Sequence, residues 1–312
     1  MRNILDMRNR LLFLMLWITI ISCTINSSPG QTEAIPKFEI LTSKKDSVIF
    51  YNLANQFKNK KLSVNEYIIS IGEYFRGTPY IASTLETEGD EQLVINLHEM
   101  DCTTFVEYVT ALSLCFSENL SGFDDFAKAL AKIRYYDCEI NGYSSRLHYF
   151  SGWLQNNSKK GILDIVSDSI GNKAFDNKVN FMTSNPHLYR QLSDTALIRQ
   201  LEITEKEISS HEMRYITKDN IPKIEKLIKN GDIIAFASSI KGLDVSHVGF
   251  AVNRAGRIYF MHASSGNKQV EITSVPLDEY LRKSSSVTGI LVGRVLGKVS
   301  SISKCNFNGK NE

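Results

Sequence analysis

Apolar positions recur every three or four residues through the first part of the chain and give way, beyond residue 231, to short runs of strand character. The segments 47–57 and 64–75 carry the helical spacing, the second through Ile68, Ile71, Tyr74 and Phe75, and both are predicted as helices. Arg76-Gly77-Thr78-Pro79-Tyr80 ends the second, because Pro79 has no amide hydrogen to give and pushes Thr78 out of the helical region. From Asp101 the positions Phe105, Val106, Val109, Leu112 and Phe116 repeat at helical intervals, which makes Asp101 the expected cap and Cys102 a first-turn residue. A further helix is expected over 123–136, followed by a polar stretch rich in Asn and Ser over about 138–221, helical where it is periodic and read as an elaboration on the core. After Lys229-Asn230-Gly231 come strand-like runs at 232–237, 245–253, 257–263 and 289–296. Helices first and consecutive strands afterwards predict an α+β domain with an antiparallel sheet rather than an alternating parallel one. No internal repeat or low-complexity tract is visible.

The run from His247 to His262 contains two of these strands and a tight turn. If Arg254 and Ala255 form the turn, His247 and His262 are directly opposed, with Cβ atoms about 4.5–5.5 Å apart. If Ala255 and Gly256 form it, the two histidines become diagonal neighbours on the same face. An odd-length loop would send one of them to the other face, so the register is a test. A second imidazole behind the first matters because a general base needs its ring held in one orientation and tautomer.

Composition narrows the partners. Lys and Arg total 36 against 34 Asp and Glu, which gives no broad electrostatic reason to expect nucleic acid. At the amino end Arg2, Arg8 and Arg10 precede an apolar run over 11–21, too short for a membrane span of roughly 20 residues but suited to an export signal. Met7 would serve equally as the start, and an uncleaved anchor or a buried helix is the plain alternative. Ile20-Ile21-Ser22-Cys23 resembles the lipobox of bacterial lipoproteins, which implies cleavage before Cys23 and lipid on its sulfur. The expected organisation is a signal peptide at 1–22, a tether at 23–45, one domain at 46–300 and a tail at 301–312, in an exported lipoprotein facing the periplasm or cell surface.

Of five cysteines, Cys102, Cys115, Cys138 and Cys305 remain after Cys23, and no pair has the C-x-x-C spacing of zinc ribbons or thioredoxin-like motifs. Their irregular spacing argues against a disulfide framework, and Cys115, Cys138 and Cys305 are expected as small core residues. At a helix start, unpaired amides and the helix dipole would favour the thiolate of Cys102. It precedes His247 by 145 residues, comparable with the roughly 130–150 that separate Cys and His in papain-like enzymes. Zinc held by Cys102, His247 and His262 would lack a fourth ligand at characteristic spacing, so no metal or other cofactor is expected. His98, His148, His187 and His211 are expected in loops or at the surface.

Four motifs in order then carry a resemblance. Thr78-Pro79-Tyr80, Asp101-Cys102-Thr103-Thr104-Phe105-Val106, Gly231-Asp232-Ile233-Ile234 and His247-Val248-Gly249 with the closing His262-Ala263-Ser264 resemble the signatures of NlpC/P60 cysteine peptidases of bacterial cell walls. Tyr143-Ser144-Ser145-Arg146-Leu147-His148-Tyr149 and the longer Asp101 to Glu107 string look like the DUF1460 branch, N-acetylmuramoyl-L-alanine amidases acting on muropeptides with a preference for the anhydro-muramyl end. The resemblance covers roughly 63–296 and departs from the wider superfamily at Ile81-Ala82-Ser83-Thr84 and in the long insertion. It implies a papain-like core, a Cys102-His247-His262 site, oxyanion support from Tyr80, and peptidoglycan fragments as substrate. Arg146, His148 and Tyr149, in the branch's own string, become candidates for gripping it; bracing the insertion is the plain alternative for the first two, and a core position for Tyr149. The same three catalytic residues would serve a γ-D-glutamyl-diamino acid endopeptidase, and a wall-binding lipoprotein with a silent site is the non-enzymatic alternative.

Overall fold

Reciprocal caps open three of the helices that build the site's frame. Ser43 and Asp46 close a capping box at α1 (Lys44–Phe57), Ser63 and Glu66 at α2 (Val64–Tyr74), and Asp101 and Thr104 at α3 (Cys102–Ser117), each satisfying amides that the first turn leaves unpaired. The computed structural model describes residues 39–297 apart from Asn177. Cys23, Cys305, the export signal, most of the expected tether and the 301–312 tail lie outside the described residues.

α3 is buried on every side from Thr104 to Phe116, with α2 and α4 (Phe123–Arg134) packed along it. Phe50, Phe57, Tyr67, Phe116, Phe123 and Phe126 interlock at ring-centroid distances of 5.3–6.4 Å. Asp46, nearly fully buried, also takes the Leu97 amide at 2.7 Å and His98 Nδ1 at 2.7 Å. His98 lies in a loop, as expected, and is anchored there, tying the start of α1 to the approach of α3.

A short parallel pair, β1 (Ile40–Leu41) and β2 (Leu93–Val94), fastens the amino end. β1 and the first two residues of α1, Lys44 and Lys45, fall inside the stretch expected to be tether, so ordered structure begins before residue 46. The main sheet is antiparallel and joins β3 (Leu163–Ile165), β4 (Lys173–Ala174), β5 (Arg214–Thr217), β6 (Ile233–Ser238), β7 (Val245–Arg254), β8 (Arg257–Ser264), β9 (Gln269–Ile272) and β10 (Val287–Val295). Its order is β4-β5-β10-β6-β7-β8-β9, with β3 also on β10. The segment 138–221 is thus more than a helical elaboration. Around α5 (Phe150–Lys159) and the helix Thr195–Ser210 it supplies three strands of the common sheet, each only two to four residues long and too short to display alternation.

Alternation along β7 and β8 divides the core. Val248, Phe250 and Met261 face α3, where Phe105 meets Phe250 edge-on at 5.6 Å, while Ala251, Ile258 and Phe260 pack beneath the helix Leu277–Arg282. Large buried rings of this kind are worth about 3–5 kcal/mol each against alanine, enough to fix how the helix crosses the sheet. The hairpin turns at Ala255 (φ 51) and Gly256 (φ 84), the pair of left-handed residues that a two-residue turn matching strand twist requires. Pairing runs Arg254 with Arg257 through Phe250 with Met261. Continued, it sets His262 across from Gly249 and diagonal to His247, the second of the two even-length registers. Among the described cysteines, Cys102 and Cys115 are free, and Cys138, buried as expected, is also disulfide-bonded.

Candidate active site

Cys102 occupies the first helical position of α3 because Asp101 caps it: Asp101 Oδ1 accepts from the Thr104 amide at 2.8 Å and Thr104 Oγ1 accepts from the Asp101 amide at 2.9 Å. The crossing over the sheet brings this corner to the Val248 amide, which hydrogen-bonds the sulfur together with the Thr103 side chain. His247 precedes Val248 in the chain, and its ring and Cys102 line one cavity of about 180 Å³.

His247 Nε2 and His262 Nδ1 are 2.6 Å apart, their rings perpendicular with centroids 4.8 Å apart. Phe260 stacks on His262 at 4.7 Å and meets His247 edge-on at 5.7 Å, with Phe236 and Tyr280 closing the box. The even-length hairpin has put both imidazoles on one face, and His247 Nδ1 is the ring nitrogen left over for a reaction.

Burial decides the resting charges. It pushes the Cys102 thiol up to about 12, with the Asp101 carboxylate adding to the rise against the hydrogen bonds from Val248, Thr103 and its own amide. It pulls His247 down to about 4, and burial together with His247 pulls His262 down to about 3. The pair therefore rests as neutral thiol and neutral imidazole. The helix start was expected to favour a thiolate; desolvation and the capping carboxylate instead push the thiol up. Among the described residues no group of three or more His, Cys, Asp or Glu side chains is placed to hold a metal ion.

Tyr80 is fixed beside this corner by bridges from Pro79 to Gln269 and from Tyr80 to Met100 and by its amide donating to the Lys268 carbonyl at 2.9 Å. Burial, with the charges of Cys102 and Asp101, pushes its hydroxyl up to about 12, so it stays a protonated donor.

The three other sequence candidates have different fates. Arg146 lines a neighbouring cavity of about 450 Å³, yet its guanidinium is spoken for: it donates to Glu86 at 2.6 Å and to the Leu85 carbonyl at 3.1 Å, lies 3.6 Å from Glu91, and covers the Tyr143 ring at 4.9 Å. Tyr149 lines the smaller cavity, but its hydroxyl donates to Glu205 at 2.7 Å and accepts from the Met182 amide at 2.7 Å. His148 borders both cavities and donates Nε2–H to the Tyr143 carbonyl at 2.7 Å, which leaves Nδ1 as an acceptor. Burial and the nearby Arg146 charge pull it down to about 3, so it is neutral. His148 thus keeps a free acceptor toward the cavities, and it lies half-buried in a loop, as its sequence position suggested.

The larger cavity is also lined by Glu86 and Arg190, which the sequence did not single out, and by Asp101 and Glu107 from the motif string. Glu107 is buried and paired with Arg134 at 2.7 Å. It stands five residues after Cys102 on the same helix, a signal that the sequence carried; Arg190 offered none.

These features sit within a known family. The family model described as AmiA-like, N-acetylmuramoyl-L-alanine amidase-like, matches residues 70–290. A crystal structure of an N-acetylmuramoyl-L-alanine amidase from Bacteroides uniformis is similar at 37% identity and a TM-score of 0.72, over 75% of this chain and 99% of that one. A protein from Bacteroides fragilis described as a putative xylanase is similar at 40% identity and a TM-score of 0.69, over 72% of this chain and 100% of that one. Protein LPG0564 of Legionella pneumophila, a DUF1460 protein, shares the fold at 24% identity and a TM-score of 0.63, over 81% of this chain and 95% of that one. Among curated proteins no match is found. With its family model spanning the helix-start cysteine and both histidines, the chain belongs to the AmiA-like, N-acetylmuramoyl-L-alanine amidase-like family.

Proposed function

We propose that the protein hydrolyses the amide between the lactyl group of N-acetylmuramic acid, in its anhydro form or not, and L-alanine in peptidoglycan fragments, using Cys102, His247 and His262 in a papain-like core of the NlpC/P60 kind. The observation that carries this reading is the 2.6 Å contact between His247 and His262 beside a helix-start cysteine that lines the same cavity as His247. Family membership supplies the peptidoglycan amide.

The reaction starts from the neutral pair. His247 Nδ1 takes the thiol proton as the sulfur attacks the lactyl carbonyl, so that charge separates only as the new bond forms. The Cys102 amide and the Tyr80 hydroxyl donate to the developing oxyanion. As the tetrahedral intermediate collapses, the C–N bond breaks and His247 returns the proton to the L-alanine nitrogen, releasing the stem peptide. A water, deprotonated by His247, then cleaves the thioester to free the muramyl acid and restore the thiol. His262 holds the His247 ring throughout. His148, through Nδ1, is the one of the original grip candidates that retains this role; Arg146 and Tyr149 shape the walls. With 1–22 read as an export signal and Cys23 as the site of a lipid anchor, the enzyme would meet peptidoglycan outside the cytoplasm.

Digestion of a defined muropeptide followed by mass analysis tests this. Release of the intact stem peptide, lost in Cys102→Ala, is the expected result. A stem shortened after D-glutamate would replace the reading with an endopeptidase, and binding without turnover would replace it with a silent wall-binding lipoprotein.

A further inference from the structure

His262 is buried to 1% exposure, and its Nε2 makes no hydrogen bond. A buried polar nitrogen left unmatched is unfavourable, so what stands nearest to it matters. Register pairs His262 on β8 with Glu271 on β9, and Glu271 Oε1 lies 3.7 Å from that nitrogen. The carboxylate is itself pinned: Asn267 Nδ2 donates to both of its oxygens at 2.8 Å. The titratable groups around His262 are His247 on β7, Glu271 on β9 and Tyr280 on the helix Leu277–Arg282.

We infer that Glu271 is a positioning residue that sets the tautomers of both histidines. This rests on the reading above, in which His247 Nδ1 is the base. An ionised carboxylate only accepts, so facing it His262 carries its proton on Nε2 and presents a bare Nδ1. That lone pair obliges His247 to carry its proton on Nε2, and His247 Nδ1 is left bare toward the cavity that Cys102 lines. Reversing the first choice reverses every later one, and His247 would then point an N–H into that cavity. Closing by about 0.9 Å would bring the Glu271 contact to charge-assisted length once the imidazole takes the thiol proton, as bonds that are long at rest tighten during reaction.

Substituting glutamine makes the test sharp. Asn267 donates, so it holds the oxygen of a glutamine at 271 and turns the amide N–H₂ toward His262 Nε2, forcing the reversed tautomers. Glu271→Gln is therefore expected to lower kcat on a defined muropeptide roughly 10- to 100-fold with KM kept, and to do more harm than Glu271→Ala, while Glu271→Asp retains most of the rate. Nitrogen-15 NMR of histidine-labelled full-length protein, which needs no turnover, is expected to show His262 protonated on Nε2 and switched to Nδ1 in Glu271→Gln. An unchanged tautomer, or a glutamine variant as active as the parent, overturns the role of Glu271. Muropeptide hydrolysis that survives Cys102→Ala overturns the amidase mechanism instead, and leaves the tautomer readout to decide on Glu271 alone.

Discussion

Cys102 and His247 ride on two regular elements locked by apolar packing, with Phe105 set against Phe250; the walls of the adjoining larger cavity are held by ions and carbonyls reaching across long stretches of chain. Arg146 shows the second kind of construction, binding Glu86 and Leu85 some sixty residues upstream, and Arg190 reaches to Glu88 at 3.4 Å and to the Thr87 carbonyl. Cys102 and His247 therefore sit where a shift is resisted by close packing. The walls of the larger cavity instead depend on a few ion pairs and carbonyl contacts, each tying together distant stretches of chain.

The largest break falls on the wall. Arg146→Ala leaves Glu91, whose carboxyl burial already pushes up, without its guanidinium and uncovers Tyr143, so denaturant unfolding is expected to show a loss of about 3–5 kcal/mol. Were Arg146 instead free to bind substrate, KM would rise with stability intact. Next comes the frame. A Cβ at Gly249 would stand 2.4 Å from the Met261 carbonyl and 2.8 Å from the Phe260 ring that supports both histidines. Gly249→Ala is expected to cost about 1–3 kcal/mol and, unlike the wall variant, to abolish turnover through the displaced rings.

Charge at the frame gives a subtler contrast. With His247 drawn down to about 4, the neutral base persists well below the ordinary histidine range, so kcat/KM should hold as pH falls past 6.5 and drop only near 4. In the window between those values an unfolded His247 binds a proton that the folded one refuses, so its contribution to stability declines as the solution is acidified. At the other limb, iodoacetamide should label Cys102 ever faster from pH 8 upward with no plateau at neutrality, and leave the buried Cys115 untouched. Asp101→Asn keeps the cap but removes the charge that helps hold the thiol protonated, so labelling at pH 8 is expected to quicken by about threefold to tenfold. Smallest of all, Ala255→Gly relieves a side chain at φ 51 in the hairpin turn and should change stability by no more than about 1 kcal/mol, with the histidine contact unaltered.

What could be read from the sequence follows the same division. The helices from α1 to α4 and the strands β6, β7, β8 and β10 lie within about three residues of their expected bounds, because long amphipathic or apolar periods declare themselves. The hairpin arithmetic left two even registers open, and the positive φ of both Ala255 and Gly256 selects the one centred there. β3 to β5 escaped notice since a two-residue strand such as Lys173–Ala174 has no period, and its place depends on Tyr215 and Arg214 forty residues later. Glu271 escaped for a related reason: it gains meaning only from a strand pairing with His262, and nothing in Gln269-Val270-Glu271-Ile272 hints at an imidazole across the sheet. Arg146 was found by its motif, but the carboxylates that occupy it could not be seen from that string alone.

The uncharged sulfur has one more consequence. The chain has Cys138 in a disulfide and leaves Cys102 and Cys115 unpaired. Exchange with external disulfides and attack on peroxides both proceed through the anion. A sulfur held as the neutral thiol offers little of that anion and is poor prey for either.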